Sequence, residues 1–343
     1  MRTGSSLASP SLASFEASAS SGPSRSVFDW PADVSSSPAP RPPELRAELR
    51  EDSPPSGPDP GGGASGAAFS AEGLVSAYTA QVEDGVTQKA GGEIGAGARA
   101  LTLTAGPPDA QGLRTVSLST DGEGPAIQVS GRFTSDGELL EGSGQSEGAR
   151  LRVSRSLSAS LGVTSLAHAY VGLAVAERAQ PSGLMGSAGD VVAFFGGRRT
   201  QDMPASGVAD YAGAFEGVDV KMIPGQSFRG ATEIEGDASL RVDFGKQAFS
   251  GRIDNVRARG EPAKKADFGI AMRGSLQGSA FAGAAVLTRP GTTAPLFNVA
   301  QAGTTQGAFF GPGAAEAAGV LSAFARSGDA SRLVAGVFGA KQR

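Results

Sequence analysis

The 343-residue sequence has no cysteine, one histidine (His168) and one tryptophan. Without cysteine there are no disulfides, no thiolate metal site, no cysteine nucleophile and no thiol for a lipid anchor. With one imidazole, a multi-histidine metal centre cannot form within one chain. A Ser-His-Asp triad could use only His168. The net charge is -4, so the basic surplus of a nucleic-acid binder is missing and nucleic acid is not an expected partner. No run of 18 or more predominantly apolar residues occurs, so no transmembrane helix is expected. The first 30 residues carry Arg2 but no apolar core, and as written they do not read as a secretory signal peptide. No phosphate-loop or dinucleotide-binding pattern occurs, no pair of carboxylates stands out, and Ser206-Gly207 and Ser250-Gly251 do not read as nucleophile elbows. The expectation is a protein that is not an enzyme and takes no cofactor or metal.

What the sequence has in quantity is glycine, at 51 residues. Only 7 of these lie in residues 1–66, where Gly, 16 Ser and 11 Pro together make up 34 of the 66 residues. That composition cannot bury enough apolar surface to offset chain entropy, so 1–66 is expected to be a disordered tail. The other glycines fall among short runs that alternate apolar and polar residues. Leu240, Val242 and Phe244 alternate with Arg241 and Asp243. Phe249, Gly251 and Ile253 alternate with Ser250, Arg252 and Asp254. Phe268, Ile270, Met272, Gly274 and Leu276 alternate with Asp267, Arg273 and Ser275. This is the period of a half-buried strand.

Further strand runs are expected at 169–177, 191–195, 208–215, 281–287, 307–311, 319–325 and 333–340. Earlier runs lie at 100–104, 115–119 and 127–133, separated by Gly-Pro-Pro and Asp-Gly turn signals. Phe69, Leu74, Ala77, Tyr78 and Gln81 fit a short amphipathic helix over 69–82, capped by Ser70. The reading is an all-β chain. A mixed, mostly-β region at 67–165 precedes a closed antiparallel barrel of about eight strands at 166–343. Glycines inside strands favour a barrel over a flat sandwich, because sharp curvature needs them.

Three segments carry a family resemblance. Residues 169–215 contain YVGL, FFGG and MPASGVADYAGAF. Residues 238–253 read ASLRVDFGKQAFSGRI. Residues 307–341 contain GAFFGPGAAEAAGVLSAFA and then LVAGVFGAK. In this order and spacing they resemble the β-barrel domain of the transferrin-binding protein B family. The matching positions are Pro204, Gly207, Tyr211, Gly213, Phe215, Phe244, Gly251, Phe310, Gly311, Pro312, Gly319, Gly336 and Phe338. Ala209, Tyr211, Gly213 and Phe215 should face the barrel interior, with Asp210 outside. Val337 and Phe338 lie on opposite faces of the last strand, so one of them must be covered from outside the barrel.

The resemblance implies a surface or extracellular binding protein of a Gram-negative bacterium. Its partner would be a host protein such as transferrin or a haem carrier, and outer-membrane association would follow. It also implies an irregular handle beside the barrel, at 67–165. The missing cysteine departs from the family's lipid anchor. No motif transfers a binding residue, so loop candidates come from chemistry alone: the pairs Arg198-Arg199 and Lys264-Lys265, and His168 with Tyr170 beside it. Each has a plainer reading. Loop charges are usually just solvated, and a lone strand-edge histidine is seldom a ligand. Two other functions remain open. One is a lipocalin-like carrier of a small apolar ligand. The other is an integral outer-membrane barrel, disfavoured by outward Arg241, Asp243, Arg252, Asp254, Asp267 and Arg273.

Overall fold

The computed structural model describes residues 67–343, apart from short segments at 84–85, 95–98, 121–126, 137–138, 160–161, 179–185, 224, 226–230, 262, 297–300 and 329. The expected disordered tail, 1–66, lies outside the described residues. Among those described there are nineteen strands and one 3-10 turn. The all-β expectation holds, and the strands build two closed rings rather than one.

The first ring is formed by β1 (Ala67–Glu83), β3 (Arg99–Ala105), β4 (Arg114–Thr120), β5 (Ile127–Asp136), β6 (Leu139–Ser146), β7 (Ala149–Ser154), β10 (Ala169–Arg178) and β11 (Gly186–Gly197). Its closure lies on one long strand. The first half of β1 pairs with β3, while Glu72–Gln81 pair with β11. The remaining strand beside β1, β2 (Val86–Ile94), lines its second half on the other edge. A separate hairpin, β8 (Ser156–Ala159) and β9 (Gly162–Ser165), stands between β7 and β10. The second ring is a closed eight-stranded barrel in simple order. It comprises β12 (Val208–Met222), β13 (Ala231–Asp243), β14 (Ala248–Ala258), β15 (Gly269–Gln277), β16 (Ala280–Thr288), β17 (Gln301–Phe310), β18 (Glu316–Ser327) and β19 (Ala330–Gln342).

Each ring has its own apolar core. Phe69, Leu103, Leu118, Val129, Tyr170 and Phe194 fill the first. Tyr211, Phe215, Phe244, Phe249, Phe268, Phe281, Phe309 and Phe338 fill the second. Two further clusters join the outer faces of the rings. Leu74, Val171 and Phe195 of the first meet Phe310, Val320 and Val337 of the second. Nearby, Tyr78 and Val191 meet Val218, Met222 and Leu333. β18 and β19 are therefore buried on both faces, which is why 317–325 and 333–340 are apolar almost throughout. Phe338 points into the barrel and Val337 packs against the first ring. The two-faced burial expected of the last strand is present.

Two sequence readings differ from the fold. Residues 69–82 are not a helix but part of β1. Phe69 and Ala71 face the first ring's core, while Leu74 and Tyr78 on the other face meet the second ring. A strand that changes its buried face midway puts apolar residues at near-helical spacing. The runs at 169–177 and 191–195, read as opening the C-terminal barrel, form β10 and β11. These pair with β7 and β1, inside the first ring. A strand's pattern reports one buried face, not which neighbour it hydrogen-bonds.

Glycine's role is most visible across the ladders. Gly172 lies opposite Phe194, Gly307 opposite Phe281 and Gly319 opposite Phe338. A β-carbon on these glycines would sit 2.0, 2.3 and 2.7 Å from the partner ring. Each ring lies over its bare glycine, as aromatic rescue of glycine in curved sheets requires.

Candidate functional site

The sequence-derived candidates fall at two places. The first is the junction between the rings. Pro312 ends β17, and Gly311 takes the left-handed conformation at φ +73°. A side chain at Gly311 would strike the His168 imidazole, whose Cδ2 is 2.4 Å from the ideal β-carbon position. The Arg198 N–H donates to the His168 carbonyl at 2.8 Å, and the Gly311 N–H donates to the Arg198 carbonyl at 3.1 Å. Arg199 pairs with Glu72 at 2.6 Å. The structure thus brings His168, Arg198, Arg199 and Gly311 together as parts of a joint.

The joint is held by a residue the sequence reading did not single out. Glu316, 2% exposed, opens β18. Its carboxylate accepts from the backbone N–H groups of Ala167, His168 and Ala169 at 2.7, 2.9 and 3.2 Å. Three N–H donors satisfy the oxygens of this buried carboxylate. Nothing local to Glu316 pointed to a chain segment 147 residues away.

The second place is one mouth of the C-terminal barrel. In an up-and-down barrel, alternate connections emerge at the same end. Here the connections from β12 to β13, β14 to β15, β16 to β17 and β18 to β19 share one end, whereas the opposite end has the short connections 244–247, 278–279 and 311–315. Lys264 and Lys265 lie in the second loop, from β14 to β15. Both are exposed, and Lys264 contacts Glu261 at 3.5 Å. A bridge between Arg257 and Lys265 pins this loop, and one between Thr288 and Pro295 pins the next. A cavity of about 510 Å³ opens between the second and third loops, lined by Arg252, Asn255, Lys265, Phe268 and Pro290 among others. Arg252 forks onto Asp254 at 2.9 and 3.1 Å and donates to the Thr292 carbonyl at 3.2 Å.

This mouth rests on an ion cluster centred on the buried Arg332. Arg332 forks onto Asp219 at 3.0 and 3.1 Å and reaches Asp267 at 2.7 Å. Its guanidinium carbon lies 4.6 Å from the Phe268 ring centre. Burial raises the Asp219 pKa, and the attraction and hydrogen bonds of Arg332 only partly oppose it. Burial also pushes Asp267 upward, but there the pull of Arg332 wins and the carboxyl is held below its usual value. Among the described residues, no group of three or more carboxylate, imidazole or thiol side chains is placed to hold a metal ion.

The remaining family positions are framework. The Tyr211 hydroxyl donates to the Ala314 carbonyl at 2.7 Å, and Phe244 stacks near Phe309 with ring centres 5.8 Å apart. Gly207, at φ +98°, accepts from the Phe244 N–H at 2.9 Å. Gly213 and Gly336 sit where strand backbones or the Phe215 ring approach too closely for a side chain. Gly251 abuts Met272 and Leu240, and Pro204 lies in the half-buried linker before β12.

Residues 203–342 match the family model described as the C-lobe and N-lobe beta barrels of Tf-binding protein B. The matched stretch coincides with the ring from β12 to β19. Over this stretch the chain is similar to the β-barrel domains of transferrin-binding protein B. No curated protein matches the sequence. Among solved structures, a variant of transferrin binding protein B from Haemophilus parasuis Hp5 aligns at 14% identity and a TM-score of 0.28, over 81% of this chain and 77% of that one. The isotype 1 protein from serogroup B Neisseria meningitidis aligns at 14% identity and a TM-score of 0.30, over 80% and 77% of the two chains. A protein described as a surface lipoprotein aligns at 13% identity and a TM-score of 0.33, over 78% and 98%.

Proposed function

We propose that this is a non-catalytic surface or extracellular binding protein that captures a host protein or iron source through the loops at one mouth of its C-terminal barrel. The observation that carries the reading is the family match over 203–342, joined to the concentration of long loops at one end of that barrel. A rigid closed scaffold with variable-length loops at one end is a common way to build a recognition surface. In this reading Lys264 and Lys265 contribute charge to the contact, and the first ring serves as the handle, held to the barrel by Glu316.

Two observations weigh against the other readings. The barrel interior is filled by aromatic rings in mutual contact, with Phe281 5.0 Å from Phe249 and 5.4 Å from Phe309, so little room remains for an apolar ligand. Part of the barrel's outer face is covered by the first ring, and part is charged. The directly opposed pair Asp210 and Arg241, for instance, contact at 3.3 Å. Such a face does not suit lipid.

The test is calorimetry of the folded full-length chain against transferrin, haemoglobin, haemopexin and haem. Saturable binding to one of them is the expected result. Absence of binding to all four removes the iron-source reading.

A further inference from the structure

The two rings meet along one side and diverge on the other, leaving a cleft of about 460 Å³ between them. Its floor is the outer face of the first ring, and the ladder registers give its layout. Arg132 of β5 opposes Ser143 of β6, which opposes Arg152 of β7, which opposes Leu173 of β10. The adjacent row runs Ser130, Gln145, Arg150, Val175 in the same order. Strands lie about 4.8 Å apart, so the backbones of Arg132 and Arg152 are about 10 Å apart on one face. These arginines point outward because their neighbours Phe133, Leu151 and Val153 fill the core.

The facing wall belongs to the C-terminal barrel and carries Glu216, Glu233 and Arg259. Glu216, only 4% exposed, pairs with Arg152 and lies 3.5 Å from Arg259. Glu233 pairs with Arg150 at 3.1 Å and lies 4.0 Å from Arg259. Four guanidinium groups therefore face two carboxylates. Arg132 has no ion-pair partner among the described residues, and Arg259 has only the two longer contacts. Burial lowers the Arg259 pKa from its usual value, which reflects desolvation that these contacts do not offset.

We infer that this cleft binds a small organic dianion, a dicarboxylate with a short carbon chain. The guanidinium fork of arginine matches a carboxylate in geometry and charge. The surplus of two positive charges sets the charge of the ligand. Leu173 and Val175 on the floor offer apolar contact to carbons between the two carboxylates, which inorganic phosphate cannot use. Ser143 and Gln145 add neutral donors beside Arg132. The cleft is large enough for such a molecule, since small-molecule sites begin at roughly 300 Å³. This inference stands apart from protein capture at the barrel mouth.

The test is calorimetric titration of the full chain with adipate at low ionic strength, with inorganic phosphate titrated in parallel. One adipate should bind per chain, more tightly than phosphate. Arg132→Gln should weaken adipate at least tenfold and leave the melting temperature unchanged, because Arg132 is exposed and unpaired. Arg259→Gln should weaken it similarly, and Lys246→Gln, remote from the cleft, should not. If Arg259→Gln fails to fold, Arg132→Gln decides alone. The inference is overturned if adipate does not bind, if phosphate binds as tightly, or if Arg132→Gln binds adipate as the unaltered chain does.

Discussion

The Glu316 carboxylate of the C-terminal barrel lies 2.9 Å from the backbone N–H of His168, at the point where the chain enters the last two strands of the first ring. With the neighbouring bonds from Ala167 and Ala169, one side chain closes the joint between two rings. Replacing it with glutamine keeps the shape but removes the charge and one acceptor. Glu316→Gln should destabilise the chain by about 2–4 kcal/mol, since bonds to charged groups are strong and the orphaned N–H groups stay buried. Urea denaturation measures this, and a loss below about 0.5 kcal/mol contradicts the assigned role.

Phe338 covers Gly319 across the β18–β19 ladder. Gly319→Ala should cost about 1–3 kcal/mol through overpacking, because its β-carbon would meet the Phe338 ring and the Gln306 carbonyl. Trimming the ring should relieve part of that clash. The double variant Gly319→Ala, Phe338→Leu should therefore lose less than the sum of the two single losses. Strict additivity would mean that the ring does not press on the glycine.

Val337 sits on the outer face of β19, packed against the first ring. An aspartate there would place an unpaired charge between the rings. Val337→Asp should split thermal unfolding into two transitions and expose the linker 198–207 to protease, while the unaltered chain melts in one. A single, merely lower transition would show that the rings do not come apart at this face.

Burial raises the pKa of both Tyr170 and Tyr211 above the usual tyrosine value. Each folded pKa lies above its unfolded one, so each tyrosine's contribution is complete below about pH 10 and is lost as pH rises further. Stability should fall steeply above pH 10. Absorbance at 295 nm should show these two phenols ionising together with the loss of circular dichroism rather than before it. Ionisation of either in the folded protein would contradict its buried setting.

Much of the fold was legible locally. Alternation at 240–244, 249–253 and 268–276 marked β13, β14 and β15, because one face of each meets the core and the other meets solvent. Residues 208–215 marked the start of β12 for the same reason. The opposite orientations of Val337 and Phe338 already implied an outside partner for the barrel. What the sequence obscured were strands with two buried faces. β1 imitated a helix, and β10 and β11 gave no sign of which ring they join. Of the candidate charges, Arg199 and His168 proved to be joint residues, whereas Lys264 and Lys265 stand on exposed loops. The cleft arginines went unnoticed because Arg132, Arg150 and Arg152 come into one face only through ladder registers between strands.

The most direct test of the account is binding of the transferrin, haemoglobin, haemopexin and haem panel to the full chain and to a variant carrying Lys264→Glu and Lys265→Glu. Both lysines are exposed, so the variant should fold as the parent does. The account predicts that the unaltered chain binds one member and that the variant binds it at least tenfold more weakly, as reversal of two interface charges implies. Equal binding by both forms, or none by either, would contradict capture through this mouth of the barrel.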